Sequence, residues 1–377
     1  MKSEIDTPAL IVDLDVMERN IKDMARCARD AGVKLRPMTK THKCPAISAL
    51  QIAHGASGIQ VAKLSEGEVM EAAGIRDLFI SNEIIGAPKI ERLIKLARRA
   101  NVRAGIDSVE GARAMNEAAL NAGVTLNVRI DVDTGLGRTG TLPGEPTLRL
   151  AREVSRMKGL HLEGIFTHEG IVYTATSRQM LEDLSVKAAK DMVDTAEMMR
   201  EQGIPCEEVS LGSTNGAKIT AKVPGVTEIR PGAYVFYDVM QWRWYGVCRM
   251  EDCAATAITT IISRPSSDRA ICDAGDKSAG PDAAGFGTFR PPNVQPVMAV
   301  VKTLDGKVVD DAFFDSTIGE EYGLMKLSGS FQPKIGEKYE LIPVHVCGLI
   351  MLHDQLTGVR GGEVECVWPI SARGKFT

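Results

Sequence analysis

No apolar run in this 377-residue chain reaches the length of about 20 residues that a bilayer-spanning helix needs. Its eight cysteines contain no CxxC spacing, which excludes the usual zinc-ribbon and thioredoxin-type motifs. There is no long run of charge of one sign. The 45 Lys and Arg against 49 Asp and Glu leave a net charge of -4, so nothing favours nucleic acid or an anionic membrane surface. The opening residues Met1-Lys2-Ser3-Glu4-Ile5-Asp6 are polar and acidic, which predicts no secretory leader. The cysteines are then expected as thiols and the cytoplasm as the compartment. Solenoid-type repeats and low-complexity tracts are also missing. What is there is ordinary soluble composition, 44% hydrophobic and 25% charged. The length suits two or three domains, or one large barrel with a smaller partner.

Strand-like runs are predicted at 33–39, 58–63, 77–81, 103–107, 126–133, 162–167, 207–211 and 228–237, after a first apolar strand at 7–14. Asp15 can cap the helix that follows, where Met17, Ile21, Met24 and Ala25 fall at helical spacing. Amphipathic helix patterns fill 66–73, 87–100, 108–122, 145–157 and 177–202, and glycine stops follow Ala31, Ala73, Ala122 and Gln202. Strand alternating with helix implies parallel strands joined by crossovers. Eight such units in roughly 240 residues match an α/β fold of the (β/α)8 TIM-barrel type, with a doubly wound open sheet as the alternative. After Gln241 the helical periodicity fades. Short runs at 254–262, 297–303, 339–346 and 363–368 alternate with Gly, Pro, Asp and Ser clusters, which predicts an antiparallel β-domain. Residues 279–296 read as a long loop. The expected division is a barrel over 14–240 and a β-domain over 241–377, joined by the N-terminal strand within 1–13.

A barrel gathers its site at the C-terminal ends of its strands. The first strand ends in Arg36-Pro37-Met38-Thr39-Lys40-Thr41-His42-Lys43. A lysine held at a buried strand end can lose its proton and attack an aldehyde cofactor; a solvated strand end with ordinary lysines is the plainer alternative. The fifth strand leads into a glycine-rich loop from Asp131 to Gly140 that carries Arg138, and the sixth ends in Thr167-His168-Glu169-Gly170. Arg138 is either a ligand cation or a surface charge, and His168 either an acid or base or a satisfied polar group. Gly212-Ser213-Thr214-Asn215-Gly216 offers backbone N–H groups and two hydroxyls for an anion, or a helix N-cap, or both. Gly232, in Arg230-Pro231-Gly232-Ala233-Tyr234, permits close approach to a ligand or makes a Pro-Gly turn. Far downstream lies His345-Val346-Cys347. On a strand, residues two apart share a face, so imidazole and thiolate can grip one metal ion, with zinc best suited. Two ligands would leave positions open for substrate oxygen. A core pair is the alternative. Asp273, His353 and Asp354 are possible helpers.

Taken in order, these residues resemble the D-threonine aldolase and D-serine dehydratase family, which shares the alanine racemase type of fold. The stretch 36–43 is similar to the family's Arg-Pro-His-x-Lys-x-x-Lys, with Met38 in place of the His. Asp133-Thr134-Gly135 through Arg138 and Gly140 is similar to its Asp-x-Gly-x-x-Arg-x-Gly loop. Gly212-Ser213-Thr214 is similar to its phosphate loop, with Asn215-Gly216 where Pro-Thr is more usual, and 230–238 to its strand-eight signature. Cys272-Asp273-Ala274-Gly275 matches a recurring Asp-Ala-Gly, and Ile171 stands where many relatives have a His. The resemblance implies that Lys40 holds pyridoxal 5'-phosphate covalently. It places Arg138 near the ring hydroxyl and Gly212, Ser213 and Thr214 around the phosphate, with His168, Gly232 and Tyr234 completing the cofactor site. Lys40, His168 and Arg138 are the expected catalytic residues, and His345 and Cys347 the expected pair for zinc or manganese.

The implied substrate is a small D-configured β-hydroxy-α-amino acid, and the implied reaction is retro-aldol cleavage to glycine and an aldehyde. Dehydration of D-serine or D-3-hydroxyaspartate, to a keto acid and ammonia, is the alternative. Cys347 resembles the dehydratases, whereas 367–375 and Leu352-His353-Asp354 resemble the aldolases. A racemase would leave the metal pair without a task, and non-catalytic pyridoxal-phosphate carriers lack a β-domain. A homodimer is expected on the resemblance alone.

Overall fold

The structure, a computed structural model, describes residues 1–280, 298–315 and 319–377. The chain divides into two units. One is Lys22–Gly232 with Gly374–Thr377, the other Met1–Ile21 with Ala233–Arg373. No helix among the described residues is long and apolar enough to cross a membrane.

In the first unit eight parallel strands follow one another around a sheet: Lys34–Leu35, Ile59–Val61, Asp77–Ile80, Asn101–Ile106, Leu126–Asp131, Leu160–Thr167, Glu208–Leu211 and Glu228–Ile229. The eighth pairs with the first through Lys34↔Glu228 and Leu35↔Ile229. A parallel bridge from Met38 to Gln60 joins the first to the second, so the barrel closes. The expected runs 33–39 and 228–237 are only two residues long as ladder. Pro37 and Pro231 follow closely and have no N–H to donate. Helices Leu64–Ala72, Ala87–Ala97, Val109–Ala122, Glu145–Val154 and Arg178–Glu201 make the crossovers. Their apolar faces are buried, as with Leu93, Leu96, Met115 and Met192, while their charged faces stay wet. Helix Val109–Ala122 ends on Gly123, whose φ of +64° is the left-handed conformation a C-cap glycine supplies.

The barrel interior is filled in layers, one of them ionic. Arg36 pairs with Glu228 and Asp77, Asp77 with Arg103, Arg103 with Glu163, Glu163 with Arg129, and Arg129 with Glu228. Three guanidiniums and three carboxylates thus alternate in a closed, neutral ring. Phe79 and Phe166 meet edge to face at 4.8 Å. The Phe79 ring lies between the guanidiniums of Arg129 at 5.1 Å and Arg230 at 5.5 Å.

The second unit holds a nine-stranded sheet. Its order is Arg269–Cys272, Gly323–Leu327, Val308–Asp315, Ala299–Thr303, Lys338–Pro343, Ala255–Ser266, Ala9–Asp13, Gln355–Arg360 and Glu363–Pro369. Arg269–Cys272 also pairs with Ala255–Ser266, so the first six strands close on themselves. All pairings are antiparallel except Ala9–Asp13 with Gln355–Arg360. The N-terminal strand is therefore a member of this sheet, with Ile11 packed on Ile258 and Val359.

Three local expectations change. Helix Leu14–Ala31 is capped by Asp13, whose Oδ1 accepts from the Val16 N–H at 3.1 Å, rather than by Asp15. The run 339–346 leaves the ladder at Pro343, and a helix, Val346–Met351, follows. The loop expected at 279–296 lies outside the described residues from 281 onward, and Ala279 itself ends a short helix, Asp276–Ala279.

Candidate active site

Lys40 sits in a tight turn, Thr39–Thr41, just past the first barrel strand. It is exposed, so the expectation of a lysine held at a buried strand end fails at this residue. The buried lysine of the stretch is Lys43. It forms an ion pair with Glu66, whose Oε2 accepts the N–H groups of Ala62 at 2.7 Å and Lys63 at 3.1 Å. The Lys43 N–H donates to the Thr39 carbonyl at 2.7 Å, which closes the turn around Lys40. One lysine fastens the turn and the other is left to reach out of it.

His168 follows the sixth strand. Its Nδ1 donates to the carbonyl of Gly212, an atom that can only accept, so Nε2 carries the lone pair. Burial and then the nearby positive charges of Lys40, Arg138 and Arg230 push its pKa down to about 3. The imidazole is therefore neutral, in the positive field of those three side chains. Tyr173 lies beside the imidazole, ring centroids 5.9 Å apart.

The loop after the seventh strand is built around Glu169. Its fully buried carboxylate accepts the Gly212 N–H at 2.7 Å and the Ser213 hydroxyl at 2.8 Å, and the Ser213 Oγ accepts the Gly216 N–H at 3.0 Å. The N–H groups of Ser213, Thr214 and Asn215 have no partner among the described residues. Asn215 is buried with both side-chain polar atoms unpartnered among those residues. Buried polar groups are costly to leave unmade, so this cradle fits an added anionic group such as a phosphate. The Thr214 Oγ1 accepts the Gly232 N–H at 3.3 Å, and a Cβ on Gly232 would lie 3.0 Å from Thr41 Oγ1 and 3.2 Å from Met38 Cβ. Gly232 thus joins the loop to the Lys40 turn. Beneath lies Arg230, which donates to Ser210 Oγ and Gln60 Oε1, each at 2.7 Å, and to the Thr167 carbonyl. Its burial lowers its pKa to about 10, and Gly212 must be a glycine because a Cβ there would lie 2.9 Å from the guanidinium.

Arg138 is exposed at the tip of the loop after the fifth strand and makes no ion pair among the described residues. Asp131, at the root of that loop, is buried and accepts the Thr139 hydroxyl at 2.8 Å.

The remaining expected residues belong to the other unit. Tyr234 is fully buried in the turn Ala233–Val235. His345 is the N-cap of Val346–Met351 and Cys347 its second residue, so the pair meets at a helix start and not on a strand face. The two side chains still touch, and Asp238 Oδ2 lies 3.5 Å from His345 Nδ1. Burial opposes charge on His345, but Cys347 and Asp238 together raise its pKa to about 10. A place that favours positive charge between an imidazole, a thiol and a carboxylate fits a cation. Among the described residues there is no group of three or more His, Cys, Asp or Glu placed to hold a metal. The suggested helpers are engaged elsewhere. Asp273 accepts from Thr259 Oγ1 and the Thr260 N–H, His353 contacts the Ser278 carbonyl at 2.8 Å, and Asp354 pairs with Arg373.

Glu169, Asp131 and Asp238 carry much of this geometry and were not singled out from the sequence. Each does lie within or beside a stretch that was: Glu169 follows His168, Asp131 opens the Arg138 loop, and Asp238 closes the strand-eight signature.

Barrel, β-unit and site together define an enzyme of the alanine racemase type. The model of the alanine racemase N-terminal domain matches residues 12–239, and that of a putative serine dehydratase domain matches 254–359. D-threonine aldolase from Arthrobacter sp. is 33% identical over 375 residues, 99% of this chain and 94% of that protein. The crystal structure of D-threonine aldolase from Filomicrobium marinum superposes with a TM-score of 0.89 at 33% identity, covering 99% of this chain and 96% of that one. D-threo-3-hydroxyaspartate dehydratase from a Delftia species is 33% identical over 360 residues, 91% of each chain. A solved cysteine-to-alanine variant of a D-threo-3-hydroxyaspartate dehydratase, in the metal-free form, superposes with a TM-score of 0.88 at 31% identity, covering 98% of both chains. The chain belongs to the D-threonine aldolase and D-serine dehydratase family.

Proposed function

We propose that this chain is a pyridoxal-phosphate- and divalent-metal-dependent lyase that cleaves D-configured β-hydroxy-α-amino acids to glycine and an aldehyde. The observation that carries this reading is the convergence, at one end of the barrel, of the Lys40 amine, the neutral His168, the exposed Arg138 and the unpartnered N–H groups of residues 213–215. Pyridoxal phosphate, when bound, supplies an electron sink for the pair released as a bond at Cα breaks. Lys40 would hold its aldehyde carbon, and residues 213–215 with the Thr214 hydroxyl its phosphate. Arg138 offers a cation to its ring oxygen. His168, its Nδ1 proton committed to Gly212, keeps Nε2 free to take the proton of the substrate's β-hydroxyl as Cα and Cβ part. His345 and Cys347 would hold a divalent ion, which supplies Lewis acidity toward that hydroxyl. Zinc suits sulfur with imidazole, and manganese is the alternative. The reading includes a homodimer in the cytoplasm.

A second reading, dehydration to a keto acid and ammonia, is favoured by one residue. Cys347 pairs with His345, and a solved metal-free form of a D-threo-3-hydroxyaspartate dehydratase is a cysteine variant.

The test is to reconstitute the protein with pyridoxal phosphate and zinc or manganese, record the visible spectrum, and supply D-threonine and D-serine separately. Glycine with acetaldehyde supports the aldolase; keto acid with ammonia transfers the case to the dehydratase. The visible band of the bound cofactor is expected to vanish in Lys40→Ala. Absence of any band in the unaltered protein would overturn the cofactor assignment.

A further inference from the structure

Adjacent residues of a strand point to opposite faces, yet His168 and Glu169, at the end of the sixth barrel strand, both reach Gly212. The backbone explains how. Glu169 has a φ of -70° and a ψ of 56°, and the Gly170 N–H donates to the His168 carbonyl at 2.6 Å. These are the features of an inverse γ-turn centred on Glu169, and the turn breaks the alternation. His168 Nδ1 donates to the Gly212 carbonyl, and Glu169 Oε2 accepts the Gly212 N–H at 2.7 Å. One residue of the loop is therefore held at both of its backbone polar groups by two neighbours in sequence.

The other oxygen of Glu169 extends the grip. Oε1 accepts the Ser213 hydroxyl at 2.8 Å, and Ser213 Oγ accepts the Gly216 N–H at 3.0 Å. Residues 212–216 thus wrap the buried carboxylate so closely that a Cβ on Gly216 would lie 3.0 Å from Oε1 and 3.1 Å from Ser213 Oγ. Within that arc the N–H groups of Ser213, Thr214 and Asn215 have no partner among the described residues. Two donors call for two acceptor oxygens, which an ionised carboxylate has; a glutamine in its place offers one.

We propose that Glu169 is a positioning residue: with His168 it grips Gly212 from both sides, so that one frame sets the phosphate cradle and the imidazole, and filling the cradle steadies His168. The inference rests on the cofactor reading above. Glu169 is not an aid to anion binding through its charge, because a buried carboxylate repels a phosphate. Its contribution is the shape of the loop, arranged before a ligand arrives. Coupling of this kind is reciprocal, so order imposed on the loop by phosphate is felt in the turn after His168. That turn reports on the frame directly, since the Gly170 N–H donates to the His168 carbonyl and the Val172 N–H to the Glu169 carbonyl at 3.2 Å.

The probe is inorganic phosphate, added to the full chain freed of cofactor. Affinity is read by calorimetry and backbone order by hydrogen exchange. Saturating phosphate is expected to slow exchange about tenfold, the scale of one hydrogen bond, in 212–216 and also in 170–172. In Glu169→Gln the slowing at 170–172 is expected to vanish, and phosphate affinity to fall about tenfold. The direction decides, because removing a negative charge from an unchanged frame would tighten phosphate binding. Ser213→Ala keeps the charge and breaks the same link. It is expected to weaken phosphate by a similar factor, to uncouple 170–172 and to add nothing to Glu169→Gln. It also carries the test should Glu169→Gln not fold. Unchanged or tighter binding in either variant, additive effects of the two, or slowing confined to 212–216 in the unaltered protein would overturn the proposal and leave the cofactor reading standing. No binding of phosphate by the unaltered chain would overturn the cradle assignment itself, and this inference with it.

Discussion

Arg129 and Glu228 meet across the inside of the barrel, Nη1 to Oε1 at 2.6 Å, from the fifth and eighth strands. Both side chains are withdrawn from water, and each has a second partner in the alternating ring. Burial alone would raise the Glu228 pKa, but Arg129 and Arg36 outweigh it and hold the carboxyl far below its usual range. Removing one member of such a buried set strands the opposite charge, at a cost of about 3–5 kcal/mol. Glu228→Gln is therefore expected to lower the thermal midpoint by several degrees. A depressed carboxyl contributes stability that is present above its unfolded-state pKa and is lost as pH falls, so the variant's deficit should shrink in acid. Thermal unfolding at neutral and acidic pH checks both parts; a deficit that grows in acid would contradict the assignment.

His168 gives a second pH signature. Its folded-state pKa is pushed down to about 3, against about 6.5 in the unfolded chain. As pH falls below about 6.5 the unfolded chain takes up a proton that the folded one refuses, and stability drains away until about pH 3. His42, lowered to about 4 by burial, adds to the same loss. His168→Gln should be less stable than the unaltered protein at neutral pH, through its lost bond to the Gly212 carbonyl, yet lose less on acidification. Urea midpoints measured across that range would show the two curves converging.

The order of the eight barrel strands was legible because short apolar runs alternate with amphipathic helix patterns, several of which end in a glycine stop. Those signals are local. The ionic ring was not legible, because Arg36, Asp77, Arg103, Arg129, Glu163 and Glu228 are scattered over 193 positions and meet only when the sheet closes. Lys40 and Lys43 were seen as a pair, but which one is buried depends on Glu66, a residue in the next crossover. The His345–Cys347 spacing suggested a shared strand face. The helix start there is set by Asp238, whose Oδ2 accepts the Val346 N–H at 3.1 Å from 108 positions upstream. Motifs locate side chains along the chain, and long-range polar partners decide the backbone they sit on.

Gly212 separates packing from conformation. Its backbone is not in the left-handed region, so an alanine there meets no conformational objection. The objection is the Arg230 guanidinium 2.9 Å from the new Cβ, locked by Ser210, Gln60 and Thr167 and unable to swing away. Overpacking of this kind costs about 1–3 kcal/mol. Gly212→Ala is expected to lower the thermal midpoint and to weaken uptake of pyridoxal phosphate, measured by the visible band at limiting cofactor. Alanine at Gly123, where a Cβ has open space but φ is +64°, should cost stability without the loss of cofactor uptake.

Asp238 should matter to the metal without binding it. Its Oδ2 lies 3.5 Å from His345 Nδ1 and also accepts the Val346 N–H, so one carboxylate both orients the imidazole and starts the helix that carries Cys347. Asp238→Asn keeps an acceptor for the N–H but loses the negative charge. Loss of an outer partner of this kind typically weakens metal affinity about 10- to 100-fold, whereas Cys347→Ala removes a donor outright. Dialysis against a chelator should abolish release of glycine and aldehyde while leaving the visible cofactor band, and added zinc or manganese should restore turnover. Metal titration of the apoprotein is expected to rank the unaltered chain above Asp238→Asn and that variant above Cys347→Ala. Equal affinity in all three would show that no ion is held at this helix start.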